Sequence, residues 1–437
     1  MKKLKFAIST LGCKVNQYES EAIRNSLEKE NYKVTSFDGK ADIYIINTCT
    51  VTHKACYKSC QMIRRALKKN PVARVIVTGC HAQKFYDEIK EFPGVTHIIG
   101  NQEKFLIPEI LKEKTDKSNV RIMVREFGGN DFLNDPPVYD FKSRKRALLK
   151  IQDGCNYACS YCIIPKTRGR SRSFSTDEVI KRTVSLFNAN YNEVVITGIN
   201  LGDYGKDLKP KENLMSLLYR IEENNEIKRV RLSSLEPQDI SQEFIEFFGR
   251  SIILCNHLHI SLQSGSDNIL ARMNRPYRVN LCREIILTLK EKVANINIGC
   301  DVIVGFPYET DREFENTLSL LKELPLDYFH VFPFSGRPGT PAYSMDGQVD
   351  PKVIRKRAKV LRELGVEKRR NFYKSQIGEI LPVISEKRLN SNKNIIKGTS
   401  RNYIPVFIKN SSLSSFSKEI AVKITQLNEN SVYGEVV

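Results

Sequence analysis

Three cysteines stand close together in Asp153-Gly154-Cys155-Asn156-Tyr157-Ala158-Cys159-Ser160-Tyr161-Cys162, in the spacing C-x3-C-x2-C. A loop this short can wrap three thiolates around one cubane iron–sulfur cluster and cannot readily supply a fourth. One iron then stays open, where the amino and carboxylate groups of an outside molecule can chelate. The competing reading is zinc. That ion normally takes paired C-x2-C knuckles or mixed Cys/His sets, and no partner pair or nearby histidine follows here.

A second set is scattered in sequence but equivalent in position. Thr10-Leu11-Gly12-Cys13, Asn47-Thr48-Cys49 and Thr78-Gly79-Cys80 each follow a predicted strand and precede a helix. In a parallel sheet all strand C-termini share one edge, so these three loops can converge. Cys13, Cys49 and Cys80 could there hold a second cluster, again with one iron unfilled. Three small buried core residues are the alternative, since free cysteine is among the most buried residue types. Cys56 and Cys60 share a helix face at i and i+4 and read as packing residues, while Cys255, Cys282 and Cys300 read as structural. The total of 11 is odd, which argues against a disulfide framework and for metal or redox chemistry.

The elements that must position these loops follow from apolar runs. Lys5–Leu11, Asp42–Asn47 and Arg74–Thr78 read as buried strands, with Glu19–Glu30, Lys54–Lys69 and Gln83–Glu91 as helices. Such alternation implies a parallel α/β sheet. Gly-Gly and Pro-Pro signals in 126–141 mark a linker. Six further strands are expected at Arg146–Gln152, Glu193–Thr197, Arg229–Ser234, His257–Leu262, Asn297–Val304 and Tyr328–Phe334. Six βα units make a partial (β/α)6 barrel with its function at the strand C-termini. A basic helical stretch occupies 351–374. Strands at Glu379–Ile384, Tyr403–Ile408 and Glu419–Thr425, among Ser/Asn-rich turns, suit a small all-β barrel. The fold class is therefore α/β, with domains expected at 1–135, 141–373 and 374–437.

The chain carries 69 Lys+Arg against 50 Asp+Glu, a net charge of +19. The excess is +6 over residues 1–141, +9 over 142–373 and +4 over 374–437, so it is not a tail. Local runs stand out at 142–146, at Lys166, Arg168, Arg170 and Arg172, and at Arg355–Lys359 and Lys368–Arg370. Such runs suit nucleic-acid phosphate, and a solvated basic face is the plainer alternative. No stretch reaches the roughly 20 apolar residues of a membrane span, and no signal-peptide pattern opens the chain. A cytoplasmic protein with no membrane partner is expected.

The loop holding Cys155, Cys159 and Cys162 resembles the radical S-adenosylmethionine (AdoMet) signature, and the six βα units resemble that superfamily's partial barrel. The resemblance implies reductive cleavage of AdoMet to methionine and a 5′-deoxyadenosyl radical. It also implies AdoMet contacts by Tyr161 and by residues at successive strand ends. These are Gly198 and Asn200, Ser234 and Glu236, Ser261 and Gln263, and Asp301 in Asp301-Val302-Ile303-Val304-Gly305-Phe306-Pro307.

With a three-cysteine domain before the barrel and a small β domain after it, the whole chain resembles the methylthiotransferase family. Arg337-Pro338-Gly339-Thr340-Pro341-Ala342 matches a further motif of that family. Leu11-Gly12-Cys13-Lys14-Val15-Asn16-Gln17-Tyr18-Glu19-Ser20 resembles its branch acting on N6-threonylcarbamoyladenosine at tRNA position 37; the isopentenyladenosine branch has Gln-Met where Lys14-Val15 stands here. The resemblance implies replacement of the adenine C2–H by C–S–CH3, with two AdoMet used per product. Two 4Fe-4S clusters are implied, the radical one on Cys155, Cys159 and Cys162 and a sulfur-delivering one on Cys13, Cys49 and Cys80. Implied partners are a tRNA anticodon stem-loop and an external low-potential electron donor such as a flavodoxin or ferredoxin. A TRAM-type terminal barrel would clamp RNA with Tyr403, Phe407 and Lys409. The basic runs at 142–146 and 166–172 would hold the stem-loop over the barrel mouth. Alternatives are a sister enzyme acting on isopentenyladenosine or on a ribosomal-protein aspartate, and a non-catalytic iron–sulfur RNA-binding protein.

Overall fold

The computed structural model describes residues 3–113, 119–128, 132–141, 145–388, 394–409 and 419–437. Lys142 and Arg144, from the first basic run, lie outside them. Among the described residues no helix is long and apolar enough to cross a membrane.

The first domain is one parallel sheet of six strands in the order Lys33–Val34, Lys5–Thr10, Ile43–Thr48, Arg74–Gly79, His97–Ile99 and Arg121–Met123. Ile43–Thr48 is buried at every position, as befits a central strand covered on both faces. The strand order reverses between Lys5–Thr10 and Ile43–Thr48. A crevice therefore opens at their C-terminal ends, the usual ligand position of such sheets. Cys13 and Cys49 flank that switch point, and Cys80 follows the next strand along. The helix expected at Gln83–Glu91 is instead two short ones, Cys80–Lys84 and Tyr86–Lys90. Phe85, at φ −125° and ψ 40°, leaves helical geometry between them.

The second domain pairs Ala147–Lys150, Val194–Thr197 and Val230–Leu232 in parallel, then His257–Gln263, Asn297–Val304 and Tyr328–Pro333. Parallel bridges Val230–Leu254 and Leu235–Ile260 join the two halves into an open six-stranded barrel. Its apolar residues form the largest core of the molecule. The basic stretch is the helix Pro351–Ser375, capped by Asp350 and buried along Ala358, Leu361, Gly365 and Phe372.

The last domain is a closed barrel of Ile380–Arg388, Ile395–Ser400, Pro405–Lys409, Ser431–Val436 and Glu419–Asn428. Its apolar alternation fills a small separate core from Leu381 to Val432. This closure is consistent with a TRAM-type domain. Ile395–Ser400 and Ser431–Val436 are additions to the expected strands.

Candidate active site

The loops after Lys5–Thr10, Ile43–Thr48 and Arg74–Gly79 are drawn together by backbone proximity. Gly12 has φ +99°, and a Cβ there would stand 2.9 Å from the Cys49 Cβ. Gly79 has φ +92°, and a Cβ would stand 2.4 Å from the Thr48 carbonyl oxygen. Only glycine tolerates both the conformation and the contact. Asn16 then stitches the loops, its amide donating to the carbonyls of Leu11 at 2.7 Å and Thr48 at 3.1 Å. The Ala82 amide donates to the Thr48 hydroxyl at 3.2 Å. Cys13, Cys49 and Cys80 all face one cavity of about 930 Å³.

The 155–162 loop is pinned on every side. The Cys155 amide donates to Gly169 O at 3.1 Å, and Ser160 donates to the carbonyls of Met273 and Arg272. Donors also reach the sulfurs themselves. Arg275 Nη1 lies 3.1 Å from Cys159 Sγ, Asn200 Nδ2 lies 4.0 Å from Cys155 Sγ, and Asn101 Nδ2 lies 3.8 Å from Cys80 Sγ. Such outer contacts orient and tune iron–sulfur ligands. Burial pushes the thiols of Cys49 and Cys162 up to about 12 and Cys155 up to about 11. The same rise is found at Cys282, so it marks burial and not a ligand.

Three thiolates bonded to one zinc ion at about 2.3 Å would lie about 4 Å apart. Among the described residues, the one trio of His, Cys, Asp or Glu whose ligand atoms all fall within 4.8 Å is His259, Asp301 and His330. Neither cysteine triplet is drawn in that tightly.

Below the loops lies a buried charge lattice. Arg168 Nη1 meets Glu19 and Asp153 at 2.9 Å each, Lys104 meets Glu19 at 2.6 Å, and Lys150 meets Asp153 at 2.7 Å. Burial would raise the carboxyls of Glu19 and Asp153, but Arg168 above all holds both well below the usual carboxylate range. Glu19 belongs to the first domain and Arg168 to the second, so the lattice locks the two cysteine regions in register. Removing one member of such a group typically costs about 3–5 kcal/mol.

Residues 5–100 match an uncharacterized protein family known as UPF0004, and residues 149–321 match the radical SAM superfamily. The chain is 40% identical to the Bacillus subtilis (strain 168) protein named threonylcarbamoyladenosine tRNA methylthiotransferase MtaB. That match covers 96% of this chain and 93% of the relative. It is 35% identical to the Clostridium botulinum (strain Okra / Type B1) protein named tRNA-2-methylthio-N(6)-dimethylallyladenosine synthase, over 99% of this chain and 97% of the relative.

The chain belongs to the radical AdoMet tRNA methylthiotransferase family.

Among solved structures, a radical S-adenosylmethionine methyltransferase, TsrM from Kitasatospora setae, aligns with a TM-score of 0.58 at 14% identity. It covers 78% of this chain and 77% of that one, a likeness of fold.

In this methylthiotransferase the cavity is lined by residues of the first domain, of barrel strands and of the last domain. Of the residues expected at the site, Cys13, Cys49, Cys80, Gly198, Ser234, Ser261 and Asp301 line it. Cys155, Cys159, Cys162, Tyr161, Asn200, Glu236 and Gln263 stand outside its lining, although their chain neighbours Ile164, Gly198 and Ser234 belong to it. Glu236 forms an ion pair with Arg275. The Tyr161 ring packs edge-on against Phe306 at 6.5 Å, within a satellite core. Gly198 makes room for Gln152, whose Oε1 accepts from the amides of Ile199 and Asn200 at 2.9 Å each. Asp301 accepts from His259 at 2.8 Å and His330 at 3.2 Å. Although burial opposes it, those bonds hold its carboxyl well below the usual range. A chain of contacts continues from His259 through the Tyr328 hydroxyl to His257. His257, His259, His330 and Tyr328 are not among the residues expected at the site from sequence.

Two expectations about basic and aromatic residues need correcting. Arg168 is fully buried in the lattice, Arg172 lies over Phe127 at 4.9 Å, and Arg146 pairs with Glu386 at 2.8 Å. Those three cations serve the fold, leaving Lys145, Lys166 and Arg170 exposed. Tyr403 does not share a face with Phe407 and Lys409. It turns into the cavity under Arg231, 4.8 Å from its ring, and against His257 at 4.5 Å. Phe407 instead neighbours Tyr433 at 5.4 Å, with Lys409 over that ring at 5.5 Å. Cys56 also differs from an apolar packing residue, for its sulfur lies 3.0 Å from Arg337 and 3.2 Å from Thr50.

Proposed function

We propose that this enzyme methylthiolates carbon 2 of N6-threonylcarbamoyladenosine at tRNA position 37. The observation that carries it is a cavity lined both by Cys13, Cys49 and Cys80 and by Gly198, two residues before Asn200, whose amide reaches Cys155 Sγ of the radical loop at 4.0 Å. The branch is supported by 40% identity to the relative named for threonylcarbamoyladenosine against 35% to the one named for dimethylallyladenosine.

Cys155, Cys159 and Cys162 would hold the cluster that binds AdoMet, and Cys13, Cys49 and Cys80 would hold an auxiliary 4Fe-4S cluster. When bound, these groups supply a carbon-centred radical and an activated methylthio sulfur, which an aromatic C–H needs because it resists acid–base chemistry. The chain's residues do the positioning. Arg275 fixes Cys159 and is itself held by Glu236. Gln152 shapes the Gly198–Asn200 turn, which would face the AdoMet methionine. Ser234, Ser261, Gln263, Asp301 and Tyr161 complete the AdoMet surroundings. The barrel walls exclude water from the radical. Lys166, Arg170 and the Phe407–Tyr433–Lys409 face receive the anticodon stem-loop by charge and stacking. A flavodoxin or ferredoxin supplies the electron, in the cytoplasm.

Nucleoside mass spectrometry of tRNA from a deletion strain tests the substrate. Loss of 2-methylthio-N6-threonylcarbamoyladenosine, restored by the intact gene, is expected. Its persistence while another methylthio product vanishes would overturn the assignment.

A further inference from the structure

Towards the strand N-termini the cavity lining changes character. Lys14, beside Cys13, and Arg369, from the helix after the barrel, both line it. Neither makes an ion pair with a carboxylate of the described residues, and Arg369 rests over the Tyr328 ring at 5.5 Å. The acids nearby are already matched. Glu193 takes Arg229 and Arg231, Glu386 takes Arg146, and Glu419 takes Arg401. Asp327 takes Lys290, and Asp301 holds its two histidines.

Two polar atoms in the same wall also lack partners. His257 Nδ1 and Asn297 Oδ1 are buried without a hydrogen bond, on residues each 3% exposed. A buried polar atom left unmatched is costly, so these atoms call for a ligand. The ligand must bring an anion for two cations, together with hydrogen-bonding groups for a ring nitrogen and an amide oxygen. An apolar substituent would strand all four. A substituent carrying a urea, a hydroxyl and a terminal carboxylate answers them. From Ser261 on the rim side to His257 the wall runs four residues, about 13 Å of strand. That is room for adenine near the rim and its N6 group reaching inward.

We infer that Lys14 and Arg369 grip the carboxylate of the threonylcarbamoyl group while His257 and Asn297 meet its hydroxyl and urea, making this end of the cavity the selector of the N6 substituent. The inference rests on the threonylcarbamoyladenosine activity proposed above.

The test uses the full chain with its clusters reconstituted under anaerobic conditions and three tRNAs differing only at N6: threonylcarbamoyl, its carboxyl methyl ester, and isopentenyl. The unmutated enzyme should show kcat/KM about 10- to 100-fold higher on the free carboxylate than on the ester, the span of a charge-assisted bond. In Lys14→Gln and Arg369→Gln that ratio should collapse towards one, through KM more than kcat. Iron and sulfide content separates lost selectivity from a lost cluster, and Arg369→Gln tests the site away from Cys13. A ratio unchanged in both variants would overturn the inference and leave the activity standing. Equal losses on acid and ester would mean that the cations hold tRNA phosphate, which also overturns it. Turnover of isopentenyl tRNA alone by the unmutated enzyme would remove the substrate assignment and the inference together.

Discussion

The two cysteine triplets are built in opposite ways. Cys155, Cys159 and Cys162 come from one eight-residue stretch, held by hydrogen bonds from neighbouring loops. Cys13, Cys49 and Cys80 span nearly 70 residues and meet because three parallel strands end on one sheet edge. A local loop can close around a cofactor with little help. A convergent site depends on register, on the left-handed glycines before Cys13 and Cys80, and on the Glu19–Arg168–Asp153 lattice that seats one domain on the other. The convergent triplet also lines the cavity, whereas the local one stands outside its lining. On the function proposed above, delivery and initiation would thus be set in different places.

That contrast can be broken in order of effect. Cys159→Ala should reduce both 5′-deoxyadenosine and methylthiolated tRNA to background, measured by chromatography of anaerobic turnovers. Arg168→Met should cost about 3–5 kcal/mol in denaturant unfolding because it strips Glu19 and Asp153 of their shared guanidinium and leaves them to neighbouring lysines. The pH dependence has a definite sign. Glu19 and Asp153 have lowered values, so they stabilise the fold at neutral pH, and that contribution is lost only as pH falls below about 4. In Arg168→Met the acid transition should begin at higher pH, read by circular dichroism. Arg275→Met, which removes the donor to Cys159 together with the ion pair to Glu236 and the bond to Tyr277, should lower 5′-deoxyadenosine formation about 10- to 100-fold, as loss of an outer-shell ligand contact does. Arg170→Met, two residues from Arg168 but exposed, should change stability by no more than about 0.5 kcal/mol. A large destabilisation there would deny the distinction between lattice and surface.

How much was legible in sequence follows the same division. The C-x3-C-x2-C loop and the six barrel strands announce themselves, because spacing and apolar runs are local properties. Lys33–Val34, His97–Ile99 and Arg121–Met123 escape because two or three residues carry no period. The inward turn of Tyr403 escapes too. Alternation places a residue on a face of its own barrel but says nothing of which neighbouring domain covers that face. Arg168 reads as a member of a basic run because the carboxylate that buries it, Glu19, lies 149 positions away. Gln152 could be suspected from its place beside a strand end, whereas His259 lies within the strand His257–Gln263, and the partners of both come from other elements.

The division of labour between the two triplets is tested most directly by measuring 5′-deoxyadenosine and methylthiolated tRNA together in Cys13→Ala. The enzyme should still cleave AdoMet and release 5′-deoxyadenosine while forming no methylthio product. Loss of both, with the iron of the Cys155–Cys159–Cys162 site still bound, would show that the two triplets act as one unit and contradict the account.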